Sequence, residues 1–240
     1  MSIPSNKRSV KPRRYDSKRR RAQAAQTRQD VLKASLDTFM ERGYTGTTMN
    51  AVARAAAVAV ETIYRAFGSK AALFTAVVEA AIAGGATRAE VPVEQRPAIR
   101  AMIEERDPRR VLELHAATQP GIHGRAGPLY RVLMEAAATD PELAGVRNQL
   151  ETQRLTGMRR LAKLLKDRGD IRQEISVEEA GDILWTVNSE AVYDLLVVQR
   201  GWSAERYRDW IASTNARALL AERRRPTRRK DRLRPRNSRS

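Results

Sequence analysis

Residues 60–65 place a valine, a glutamate, a threonine, a tyrosine and an arginine on one short segment, interrupted by Ile63 and followed by Phe67. Ile63 and Phe67 stand one helical turn apart. A helix that turns both inward leaves Val60, Glu61, Thr62, Tyr64 and Arg65 on its outward or flanking faces. That set suits duplex DNA: arginine pairs bidentately with guanine, threonine reaches base edges or phosphates, a carboxylate accepts from a cytosine amino group, and valine touches a thymine methyl. The Tyr64 hydroxyl is placed for a phosphate, unless the ring only packs. Lys70 opens the next helix, where backbone amides also face anions. Thr47 and Thr48 precede the segment at positions suited to the backbone of the opposite strand, although Thr48, like Ser69, also has a capping role.

The elements that must hold these side chains are helices. From about residue 27 to 42, Val31, Leu32, Leu36, Phe39 and Met40 recur at helical spacing, and Gly43 is placed to end the run. Thr48 can cap a second helix carrying Met49, Val52, Ala53 and Ala56, and a third follows to Phe67. Ser69 caps a fourth, through Leu73, Phe74, Val77 and Val78, that stops at Gly84 and Gly85. Two short helices so closely joined are a helix-turn-helix, whose second member is of a size to enter the major groove.

The remaining residues also read as helix. Asp107 before Pro108 and Asp140 before Pro141 are start signals, and Pro120, Gly121 and Gly124 predict a break between them. Gly169 and Gly201 read as terminators, and Ser176 with Glu179 forms a capping box. The helix that box opens, predicted to run over 176–200, carries Val177, Ala180, Leu184, Val187, Ala191, Leu195 and Val198 on one stripe. A last helix from Ser203 carries Tyr207, Trp210, Ile211, Thr214 and Ala218 on another. The two stripes could form a four-helix bundle between subunits or cover the core of one chain. The fold class is all-α.

Charge is concentrated at the ends. Of a formal +17, residues 1–28 carry +9 and residues 222–240 carry +8, which leaves 29–221 neutral. Basic arms are attracted to polyanions, nucleic acid first, and neither arm has the interleaved apolar residues of an interfacial helix. Arg19, Arg20 and Arg21 could follow a minor groove or provide only nonspecific attraction; either way binding is expected to weaken steeply with salt. There are no cysteines, so disulfides and thiolate metal sites are excluded. No secretory signal or spanning segment is legible, and a soluble cytoplasmic protein with no membrane partner is expected.

Residues 31–74 resemble the N-terminal domain of the TetR family of bacterial transcriptional regulators. The resemblance rests, in order, on Val31, Leu32, Ala34, Phe39, Gly43, Tyr44, Thr47, Thr48, Val52, Ala53, Val58, Phe67, Ser69, Lys70 and Leu73, with TIYRAFGSK at 62–70 the most specific run. It implies an N-terminal three-helix DNA-binding domain at 25–85 followed by a helical effector-binding and dimerisation domain at 86–221; the basic segments at 1–24 and 222–240 are expected to be disordered. It also implies that Thr47 and Thr48 meet phosphates. Ala57 and Ala59 depart from the family, which usually has Gly in the turn and Ser or Thr at the start of the recognition helix. The missing cap should cost about 1 kcal/mol locally. Glu61 stands where a small residue is common.

Leu112, His115, Tyr130, Met134, Met158 and Trp185 lie on helices that could surround an effector, or be ordinary core. His115 and His123 make no metal-ligand pattern, and no phosphate loop or nucleophile elbow is present. The function expected is therefore sequence-specific DNA binding and not catalysis. A homodimer on a palindromic operator, released or engaged by an unidentified small molecule and more often a repressor, is the leading expectation. A constitutive nucleoid-type protein using its arms is the alternative. No cofactor is expected.

Overall fold

The structure, a computed structural model, describes residues 14–221. Residues 1–13 and 222–240, the larger part of the two basic segments, lie outside the described residues. The named elements are all helical, and the β pairing among the described residues is an isolated antiparallel bridge between Ile171 and Leu220.

α1 (Arg14–Gly46) starts well before residue 27, so residues 14–24, expected to be mobile, are helical instead. Lys18, Arg19, Arg20, Arg21, Ala22, Gln23 and Ala24 are all good helix formers. A helix already nucleated by the buried Val31 and Leu32 extends backward through such residues at little cost, even without an apolar stripe. Gly43 takes φ +66°, and the regular helix turns there as the sequence predicts.

α2 (Met49–Ala55), α3 (Val60–Phe67) and α4 (Lys70–Ala83) follow, with Thr48 and Ser69 capping α2 and α4 through their hydroxyls. Their shared core holds Phe39, Val52, Ile63, Leu73, Phe74 and Val78, each fully buried. Phe74 meets Phe39 edge-on at 5.0 Å and Tyr44 at 5.6 Å. Such pairs contribute about 1 kcal/mol beyond burial.

α5 (Ala86–Ala89), a 3-10 turn at Val93–Gln95 and α6 (Pro97–Glu104) lead into α7 (Pro108–Ala137) and α8 (Pro141–Asp167). Leu129 and Leu133 of α7 and Leu143 and Leu150 of α8 belong to the same apolar cluster as α1–α4. The chain connection near residue 85 is thus bridged by a continuous core. A second cluster joins Leu112, Leu161, Leu165, Leu184 and Leu219 farther along the chain.

Two expectations about helices fail. α7 runs unbroken through Pro120 and Pro128. Each interior proline costs about 3 kcal/mol. Against that, one face of α7 buries Val111, Leu112, Ala116, Leu129 and Leu133 completely, at roughly 1.5–3 kcal/mol for each large side chain. Burial wins. The predicted helix over 176–200 instead divides into α9 (Val177–Val187), α10 (Glu190–Tyr193) and a π-wound stretch, Asp194–Gln199. The break is local chemistry: the Asn188 side-chain amide donates to Leu184 O at 2.6 Å, and Ser189 caps α10 by accepting from Val192 N. α11 (Ala204–Leu219) closes the fold, with Tyr207 and Ile211 fully buried. Among the described residues no single helix is long and apolar enough to cross a membrane.

Candidate nucleic-acid interface

α3 is anchored from below by Ile63, at 0% exposure, and by the half-buried Phe67. The face opposite carries Glu61, Tyr64 and Arg65, all exposed, with Val60 and Thr62 half-buried at its flanks. Tyr64 is 49% exposed, too open for a ring that only packs. The Arg28 guanidinium of α1 lies 4.4 Å from the centre of the Phe67 ring, a cation–π contact that ties the long helix to the end of the short one. Sequence reading missed it, since Arg28 counts there only as the last residue of a basic run.

The turn before α3 adopts the backbone that its departures from the family pattern demand. Ala57 takes φ +53°, a left-handed angle at a residue with a Cβ. Ala59 occupies the N-cap of α3 without a side-chain hydrogen bond. Arg54 closes α2 beside this turn and is exposed.

Two of the expected phosphate contacts are redirected inward. Thr47 is 1% exposed, and its hydroxyl donates to Gly43 O at 2.7 Å, with Thr38 O at 3.2 Å. Its neighbour Thr48 remains exposed while capping α2. Lys70 does not extend toward solvent: Nζ donates to Tyr44 O at 3.0 Å and Thr47 O at 3.1 Å and sits 4.0 Å from the centre of the Tyr44 ring. Lys70 thus adds a second donor to Tyr44 O, which also accepts from Thr47 N at 3.2 Å, and satisfies Thr47 O in the turn. Burial lowers the Lys70 pKa, against the opposing pull of Asp140 and Glu142. The same surroundings push the Tyr44 phenol up to about 12, chiefly by burial and then by those two acids. Arg19, Arg20 and Arg21 are exposed on the first turns of α1, so any groove contact they make comes from a helix and not from a loose arm.

Residues 31–77 match the family model for "Bacterial regulatory proteins, tetR family". A curated relative, the HTH-type transcriptional repressor BepR of Brucella suis biovar 1 (strain 1330), is 25% identical over 210 residues, spanning 85% of this chain and 97% of BepR. Over residues 31–77 the chain is thus similar to tetR-family regulators. Its fold is shared with NalD, the secondary repressor of the MexAB-OprM multidrug efflux pump in Pseudomonas aeruginosa, at TM-score 0.59 and 21% identity over 81% of this chain and 97% of NalD. A protein described as a TetR-family regulator from Syntrophomonas wolfei superposes at TM-score 0.62 with 17% identity, covering 80% and 94% of the two chains.

The residues expected to line an effector pocket do not converge. Leu112 is fully buried and, with the half-buried Met158, packs in the second core cluster, whereas Tyr130 packs against the first. Met134 is 54% exposed and faces away from any interior. Trp185 donates Nε1–H to Glu151 at 3.1 Å, under the Arg154 guanidinium. Of the six, His115 keeps an unpartnered buried atom, Nδ1. Helical spacing put all six on inward-looking positions; which neighbour fills each position is a property of the packed helices.

α4 and α7 are also joined by hydrogen bonds. Arg125 of α7 donates Nε–H to Ala81 O at 2.8 Å and Nη2–H to Ile82 O at 3.4 Å, capping the end of α4.

Proposed function

We propose that the protein is a homodimeric, ligand-responsive transcriptional repressor that binds a palindromic operator in double-stranded DNA in the cytoplasm. The observation that carries this reading is the exposed row Glu61, Tyr64 and Arg65 on a short helix whose other side is locked by Ile63. Arg65 and Thr62 read base edges, Val60 and Glu61 contribute contacts in the groove, and Tyr64 and Thr48 bind phosphates. Arg19, Arg20 and Arg21 add phosphate or minor-groove contacts from the start of α1. One short helix discriminates poorly, and a two-fold pair reading two half-sites is the usual remedy. Support for a second copy comes from Leu195 and Val198, 52% and 57% exposed, on the stretch after α10. Both named relatives, BepR and NalD, are described as repressors.

Ligand binding in the helical region would alter α7, and through Arg125 and α4 the spacing of the two α3 helices. The function is one of binding, with no catalytic step.

The test is selection of bound genomic fragments followed by footprinting under competitor DNA. A protected palindrome is expected. Arg65→Ala with Tyr64→Ala should weaken operator affinity by roughly ten- to several-hundredfold, the range for losing a bidentate base contact and a phosphate contact. Unaltered affinity in that double variant would refute the interface.

A further inference from the structure

Between α7, the α9–α10 junction and α11 lies a seam of buried polar side chains for which the DNA-binding reading has no use. His115, Gln119 and His123 follow one another at one-turn intervals along α7, each within 6% of full burial. Opposite them on α11, Tyr207 and Asn215 are both at 0% exposure, and Asn188 at the end of α9 is at 1%. Tyr207 lies edge-on to the His123 ring at 6.2 Å and to Tyr193 at 5.2 Å, and Tyr193 stacks on His123 at 5.0 Å. Among the described residues, His115 Nδ1, His123 Nε2, Asn188 Oδ1, the Tyr207 hydroxyl and both polar atoms of Asn215 have no hydrogen-bond partner. Orphaned groups of this kind each cost stability, and a concentration of them at one junction calls for a reason.

The network fixes what each orphan offers. Gln119 Nε2 donates to His115 Nε2 at 3.2 Å, so the proton of that neutral ring is on Nδ1, an unused donor. Burial, and then His123, lower the His115 pKa to about 4, which keeps the ring neutral near pH 7. His123 Nδ1 donates to the Glu190 carboxylate at 2.6 Å, which leaves Nε2 without a partner. Asn188 offers an acceptor, and Tyr207 and Asn215 offer both kinds. Around them stand the apolar Ala116, Ile211, Val187, Val192 and Leu196.

We propose that this seam is an effector site for a small uncharged molecule bearing both a hydrogen-bond donor and an acceptor, of the hydroxyl-amide type, on an apolar frame. The proposal rests on the ligand-responsive reading above and supplies the chemistry of its ligand. An anion would meet the Glu190 carboxylate. A cation would meet unused N–H donors and find that carboxylate already engaged by His123. The ligand enters by displacing α10 and the π-wound residues after it, which cover the seam on its outer side and lack long runs of ordinary helical bonding.

The chain has two histidines, both in the seam, so their imidazole NMR signals report on it directly. Titrating the full chain with 4-hydroxybenzamide should move both signals saturably. 4-Hydroxybenzoate, which adds a charge, and p-xylene, which removes both polar groups, should bind at least about tenfold more weakly. Asn215→Leu should abolish the shift with the melting temperature unchanged or raised, since an unpartnered amide is removed. Tyr207→Phe, which deletes one hydroxyl, should weaken binding by roughly five- to tenfold and decides the matter if Asn215→Leu does not fold. Equal binding of the three compounds, no shift with the amide, or wild-type binding by the variants overturns the proposal. Operator footprinting run in parallel separates the two readings: a retained footprint without the shift sinks this site alone, and a lost footprint with the shift intact sinks the regulator assignment.

Discussion

The α1–α4 end and the α7–α11 end of this molecule solve the problem of buried polarity in opposite ways. Around α1–α4 the buried aliphatic hydroxyls are used: Ser35 donates to Val31 O, Thr38 to Ala34 O, and Thr47 to Gly43 O, while Lys70 donates to two carbonyls of the turn. In the seam of α7 and α11 the unpartnered atoms accumulate, along an interface of otherwise well-packed helices. A groove-reading helix must be held at one position and angle, and a saturated polar network does that. A region that is to respond to a ligand gains from groups that only the ligand satisfies, because a ligand shifts an equilibrium only by its differential affinity for the two states.

That contrast can be broken, and the largest expected effect is on pH. His115 has a folded-state pKa of about 4, below the ordinary value of 6.5, so the unfolded chain takes up this proton first as pH falls. The stability it supports is complete above about pH 6.5, declines between 6.5 and about 4, and levels off below, where both states are protonated; the full change is on the order of 3 kcal/mol. Urea unfolding of wild type and of His115→Gln across that range should show wild type losing stability relative to the variant as pH falls. A constant difference would show that the ring is hydrated and that the seam is not dry.

Next in size is Lys70→Met, which keeps the apolar stem and removes both carbonyl contacts. A loss of about 1–2 kcal/mol in unfolding free energy is expected, with the salt dependence of operator binding unchanged, because this ammonium faces inward. A flatter salt dependence would return Lys70 to the phosphate-contacting role that its sequence position suggests.

The smallest effects sharpen the comparison. Ala57 holds φ +53°, and Ala57→Gly should stabilise the N-terminal domain by about 0.5–1 kcal/mol, read as a raised melting temperature. Ala59→Ser supplies the missing N-cap of α3 and should add about 1 kcal/mol. If neither variant is more stable, the turn before α3 carries no strain to relieve.

Much of the N-terminal half was legible because its signals are local. Thr48 and Ser69 cap where their types predict, Gly43 and Gly84 turn with positive φ, and Ile63 is buried as its spacing with Phe67 requires. The residues expected to line a pocket were less legible. Met134 falls on a plausible inward stripe and yet is exposed, whereas Asn215, on no apolar stripe, is wholly buried. Side chains of that kind are assigned to core, surface or site by the neighbouring helix, and spacing along one helix carries no information about the neighbour. The break at Asn188 was readable in principle, since two adjacent capping residues, Asn188 and Ser189, sit in the middle of an apolar run.

By itself the sequence determined the helical class, the boundaries of α2, α3 and α4, and the polar face of α3, because caps, glycines and apolar periodicity act within a few residues of chain. Only the tertiary structure decided that α7 continues through two prolines, that Thr47 and Lys70 point inward, and that His123 meets Tyr193 and Tyr207. Those outcomes depend on burial between elements distant in sequence. Several kcal/mol of such burial outweigh the roughly 3 kcal/mol by which a proline opposes a helix, and no local pattern records that balance.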